Sequence, residues 1–135
     1  MAQYRTVEGE ISATVNTPTA LTTFGADTAV GPIKVPANSS RIVEIWAAVA
    51  VDIDTAGDSA AVVMRLAGKG MKDGDQDFCL AAGGSGVTST GTPNAQAKIY
   101  PVDLPVVANE TVSVTLQYTG DTVGAITAAI TLVFA

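Results

Sequence analysis

From Thr111 to Thr119 hydrophobic and polar residues alternate without a break. Val112, Val114, Leu116 and Tyr118 fall on one side, and Thr111, Ser113, Thr115, Gln117 and Thr119 on the other. A period of two is the pattern of a strand with one buried face, because successive side chains of an extended backbone point to opposite sides. The pattern recurs near the end of the chain, where Ile126, Ala128, Ile130, Leu132 and Phe134 alternate with Thr127 and Thr131. It recurs near the start, where Val7, Gly9, Ile11, Ala13 and Val15 oppose Glu8, Glu10, Ser12 and Thr14. No window of eleven residues keeps apolar side chains at i, i+3, i+4 and i+7 while avoiding Gly, Pro and β-branched runs. These residues can bury a core only as sheet against sheet.

Two central segments, Arg41 to Ile53 and Ser59 to Gly68, are apolar on both faces. In a β-rich chain that predicts strands covered by a second sheet on one side and by a loop or another subunit on the other. Weaker strands are expected around Leu21 to Phe24, Val30 to Val35, Gln76 to Ala82 and Gln96 to Tyr100, giving about eight or nine. Segments rich in Gly, Asp, Asn and Ser separate them, including TAGDS, GMKDGDQ and the long low-charge stretch Gly83 to Asn94. With 135 residues, the expectation is one domain over residues 1–135, an all-β, two-sheet antiparallel sandwich. The composition is 47% hydrophobic and 15% charged, with a mean hydropathy of +0.35, more apolar than an ordinary soluble monomer. Some of that apolar surface is expected to contact partners.

The sequence also echoes itself. VPANSSRIVEIW, residues 35 to 46, and VVANETVSVTL, residues 106 to 116, both run from an apolar residue through Ala-Asn and a small polar pair into an alternating strand. An Asn side chain can bond to backbone two residues on and tolerates left-handed geometry, so Asn38 and Asn109 are read as corners that admit the chain to a sheet in fixed register. Pro36 and Pro105 suit strand ends, where no amide is needed for the ladder. Asn38-Ser39-Ser40 and Asn109-Glu110-Thr111 also match the N-glycosylation pattern, but the turn reading already accounts for both.

Reactive chemistry is sparse. The chain has no histidine, the commonest general base and metal ligand. It shows no nucleophile elbow, phosphate loop, dinucleotide fingerprint or paired-cysteine metal motif, so no enzyme and no cofactor is expected. The candidate metal residues are Asp52, Asp54 and Asp58 in DIDTAGD, whose oxygen ligands around a Gly bend would suit calcium; Asp73, Asp75 and Asp77 form a second acidic group. A formal charge of −6 opposes direct nucleic-acid binding, and the small basic group Arg65, Lys69 and Lys72 is read as ordinary surface. No apolar run is long enough to span a membrane as a helix, and MAQYRTVEGEISATV lacks the pattern of a secretory leader. Cys79, in FCLAA, and Trp46, in the most apolar strand, are expected in the core. If the chain bound carbohydrate, Tyr100 or Tyr118 would be the aromatic platform.

The layout IKVPANSSRIVEIWAAVAVD, then RLAGKG, QDFCLAAGG, an extended Gly/Thr loop, YPVDLPVVANETVSVTLQYTG and a closing AITAAITLVFA resembles the small single jelly-roll proteins of viral shells. The resemblance covers most of the chain as an order of strands and turns. It implies jelly-roll topology and a virion location, as a capsid subunit or a decorating (minor capsid or cement) protein. It also implies homo-oligomers, commonly trimers, pentamers or hexamers, with other capsid proteins as partners. Residues 1 to 10 carry one Arg and a net negative charge, unlike the basic arm of genome-contacting coat proteins, which favours an outer or decorating role. The alternative is a carbohydrate- or surface-binding sandwich module, such as an adhesin or appendage subunit.

Overall fold

The computed structural model describes residues 2–11, 19–23, 30–52, 60–71, 76–83, 93–120 and 126–135. Among them are nine strands and no helix: β1 (Gln3–Ile11), β2 (Thr19–Ala20), β3 (Ile33–Lys34), β4 (Arg41–Asp52), β5 (Ala60–Gly68), β6 (Gln76–Gly83), β7 (Pro93–Pro105), β8 (Thr111–Gly120) and β9 (Ile126–Phe134). One sheet has the order β1-β9-β4-β7; the other has β2-β8-β5-β6, with β3 also on β8. The two short strands β2 and β3 pair with successive stretches of β8 and act as one interrupted edge.

All pairings are antiparallel and nested. β1 pairs with β9, β2 and β3 with β8, β4 with β7, and β5 with β6. A long hairpin folded from both ends has this order. Rolling it so that β9 also meets β4 and β8 also meets β5 closes it into two facing sheets, the jelly-roll arrangement.

The alternation read from sequence sets the core. Val112, Val114, Leu116 and Tyr118 are buried on β8, and Ile126, Ala128, Ile130, Leu132 and Phe134 on β9. Ile45, Ala47, Val49 and Val51 of β4 and Val62, Met64 and Leu66 of β5 complete the facing layers. On β1, Val7 and Ile11 point inward with Gly9 between them. Gly9 is required where it stands, since a Cβ there would lie 2.1 Å from the Thr22 carbonyl oxygen, and Glu10 and Thr22 exchange two backbone hydrogen bonds of 2.9 Å at that point.

The repeated Ala-Asn segments form turns closed by the same hydrogen bond, although Asn109 takes the left-handed geometry and Asn38 does not. The Ser39 amide donates to the Pro36 carbonyl and the Glu110 amide to the Val107 carbonyl, each at 3.1 Å, at matching positions of the echo. The two corners also clasp each other. Val35 donates to the Glu110 carbonyl at 2.8 Å, Asn109 donates to the Val35 carbonyl at 3.1 Å, and Val106 donates to the Ser40 carbonyl at 2.9 Å. Asn109 has φ 67°, the left-handed geometry that Asn tolerates better than other non-glycine residues. Asn109→Ala is expected to destabilise the fold by about 1–2 kcal/mol and Asn109→Gly by a few tenths at most. Denaturant midpoints of the two variants check this; equal losses would show that the backbone angle is not the cause.

Candidate functional site

The two sheets present different outer faces. On the β2-β8-β5-β6 sheet the outward residues of β8 are Thr111, Ser113, Thr115, Gln117 and Thr119, all polar. Beside them Arg65 of β5 grips Asp77 of β6 through two hydrogen bonds of 2.8 and 3.1 Å. The donated hydrogen bonds from Arg65 hold the Asp77 carboxyl below its ordinary range. Lys69 lies 3.6 Å from Glu110. The basic group of the sequence is thus matched by carboxylates at two of its three positions, while Lys72 lies outside the described residues. Exposed pairs of this kind add little stability.

The outer face of the β1-β9-β4-β7 sheet has an apolar centre topped with rings, with Glu8, Glu10 and Glu44 also on it. Trp46 is 39% exposed, Tyr4 52% and Ile99 65%. The Tyr4 and Trp46 rings are 5.2 Å apart at an interplanar angle of 45°. The indole Nε1 donates to Glu44 Oε1 at 2.8 Å, which fixes the ring's orientation. Next to Trp46 the surface drops to small side chains, and a shallow groove of about 380 Å³ runs past Trp46, Ala48, Ala97, Ile99, Ala129 and Thr131. Thr131 and Thr6 hydrogen-bond through their hydroxyls at 2.8 Å.

Three expectations are corrected here. Trp46 is not a core residue: Ile45 and Ala47 are the inward positions of β4, and strict alternation sends Trp46 outward. Cys79 is exposed, because Phe78 is the β6 residue that turns in, packing on Tyr100 at 5.7 Å between ring centres, while Cys79 shares the outer side with Val63. Tyr118 is buried at 2% and offers no platform. Tyr100 is half-buried, and its hydroxyl donates to the Cys79 carbonyl, tying β7 to β6. Among the described residues the exposed rings are Tyr4 and Trp46, which alternation out from Ile45 and Val7 locates directly.

Of the proposed calcium ligands, Asp54 and Asp58 lie outside the described residues, as does the side chain of Asp52, whose backbone ends β4 opposite Pro93. Asp73 and Asp75 also lie outside them, and Asp77 is engaged by Arg65. Among the described residues no three His, Cys, Asp or Glu side chains gather as metal ligands, and no helix is long and apolar enough to cross a membrane. A second, apolar cavity of about 170 Å³ lies between β1 and β8, lined by Val7, Leu21, Val30, Pro32 and Val114.

No protein-family model matches the chain, and no curated protein matches it. Among solved structures, the chain is similar to one from the structure of infectious bursal disease virus, Gx strain, at 14% identity and a TM-score of 0.48, over 98% of this chain and 32% of that one. The present chain therefore spans about a third of that chain's length.

Proposed function

We propose that the protein is a virion structural subunit, a jelly-roll capsid or capsid-decorating protein that works by homo-oligomeric assembly and not by catalysis. The observation that carries this reading is the contrast between the faces of one sandwich. On one sheet the outer side of β8 is dressed in hydroxyls beside the Arg65–Asp77 pair, as a solvated surface is, with Val63 and Cys79 among them. The other bears rings, Ile99 and alanines in a continuous patch, of the kind that marks contact sites on soluble proteins. The strand order is also that implied by the resemblance to small viral-shell proteins.

A protein that acts by surface burial needs a rigid sandwich, guarded edges and little reactive chemistry. Edge strand β7 has Pro101 and Pro105 within it, and proline has no amide to offer an incoming strand. The reading predicts specific assemblies, trimers, pentamers or hexamers, with contacts on the order of 1,000 Å² or more. Sedimentation with negative-stain imaging of the purified protein tests it: discrete oligomers or shell-bound particles are the expected result, and a strict monomer that binds no shell overturns it.

The exposed Tyr4 and Trp46 favour a second reading, a glycan-binding module. Tilted rings beside the Glu44 carboxylate have the combination of apolar face and polar rim that sugars use. Specific hits on a glycan array by a monomeric protein would select this reading over assembly.

A further inference from the structure

Resting on the assembly reading, we infer that the outer face of the β1-β9-β4-β7 sheet is an isologous interface, in which a second copy of this chain packs face to face about a two-fold axis running across the strands between Trp46 and Ala48. The register defines the face as rows. Tyr4, Glu44 and Pro101 form the first, over the buried Val133; Thr6, Thr131, Trp46 and Ile99 the second; Glu8, Ala129, Ala48 and Ala97 the third; Glu10, Thr127 and Ala50 the fourth. The first two rows are bulky and the last two are small, apart from their acidic ends on β1.

An axis midway between the second and third rows sets the second row over the third row of the other copy and the first over the fourth. Trp46 then covers Ala48 of the second copy, Thr131 covers Ala129, and Ile99 covers Ala97. Each large side chain meets a small one, and each contact occurs twice, as an isologous interface requires. The charges agree. Glu8 falls over Thr6, Glu10 over Tyr4 and Glu44 over Ala50, so no carboxylate faces another, although three lie on the face. Turning the axis along the strands instead sets Trp46 over Thr131 and alanine over alanine, which crowds one end and leaves a gap at the other. Aligned sheets pack about 10 Å apart and cross at about 30°, so the pairs nearest the axis, Trp46 with Ala48 and Thr131 with Ala129, hold the match best.

The face is about four strands wide and four rows long. At about 4.8 Å between strands and 3.3 Å per residue, the pair buries on the order of 1,000 Å² in total. That is near the floor for a specific contact. The pairing is therefore weak in dilute solution and strengthened wherever other contacts hold copies together.

Trp46 is the chain's single tryptophan, so its fluorescence reports the contact directly. The test is sedimentation velocity with tryptophan emission across a wide concentration range, on the wild type, Ala48→Arg, Ile99→Glu, Trp46→Ala and the swap Trp46→Ala with Ala48→Trp. Positions 46, 48 and 99 are exposed, so circular dichroism and melting temperature should match the wild type and show that each variant folds. The expected result is a blue shift with association in the wild type, an association constant at least about tenfold lower in the three single variants, and recovery in the swap. If wild type and variants associate equally, copies assemble through another surface: the face is refuted and the assembly reading stands. A monomer throughout, whether or not sugars quench Trp46, refutes the face; if it also binds no shell, the assembly reading falls as well.

Discussion

Truncating Phe134 to alanine is expected to remove about 3–5 kcal/mol of stability, the largest effect of any single substitution considered. Phe134 is fully buried at the end of β9, between Gln3 on β1 and Ile42 on β4. The loss combines the transfer energy of the ring with the cavity it leaves, since strands hydrogen-bonded on both sides cannot collapse inward to refill it. Domains of this size have about 5–15 kcal/mol in hand, and the melting temperature should fall by roughly 10–20 °C. Thermal and denaturant unfolding measure it. A loss below about 1 kcal/mol would mean that the ring is not enclosed between the sheets.

Gly9→Ala should be nearly as costly although it adds one methyl group. The new Cβ would sit 2.1 Å from the Thr22 carbonyl oxygen and 3.0 Å from its carbon. Those atoms are backbone, so no rotamer change relieves the clash; the strands must separate, breaking the two Glu10–Thr22 hydrogen bonds. Leu21, 2% exposed, then loses its seat over the core. Together these amount to about 2–4 kcal/mol. Gly31→Ala is the control, because no atom of the described residues lies within 4 Å of the Cβ it would add. Hydrogen exchange should show the Thr22 amide losing protection in the Gly9 variant alone. Equal behaviour of the two variants would rule out the close approach as the cause.

The sequence discloses strands wherever one face is polar. β8, β9 as far as Leu132 and β1 from Val7 to Ile11 follow their alternation, because threonines and glutamates mark most of the outside; the pattern breaks at Val133, which is buried, and at Arg5, which is exposed. In β4 the marks vanish. Ala48 and Ala50 are hydrophobic by type yet lie on the outer side, and a register shift between Ile42 and Glu44 breaks the period near its start. Nothing in the composition of β4 marks Trp46 as outward, and with it the aromatic part of the candidate site is hidden from the sequence. The β7 strand is longer than the expected Gln96 to Tyr100, because its prolines argue against a strand and only an edge position tolerates them. Of the strand expected at Leu21 to Phe24, the described residues 21–23 make only an isolated bridge from Thr22 to Glu10, with the two-residue β2 just before them, and of Val30 to Val35 only Ile33–Lys34 is strand. The clasp between the two Ala-Asn corners depends on which strands become neighbours, and local periodicity does not carry that information.

The nested pairing has a consequence for how the protein comes into being. β9 is made after the other described strands, yet it lies in the middle of its sheet, with β1 on one side and β4 on the other. As the chain leaves the ribosome, β1 and β4 must wait with open hydrogen-bonding edges until residue 126 and those after it have emerged, whereas the β5–β6 hairpin can close early. Folding of that sheet is thus governed by distant contacts, and it is slow by the standards of chains built from neighbouring ones. During that interval the nascent protein is most open to pairing with the wrong strand.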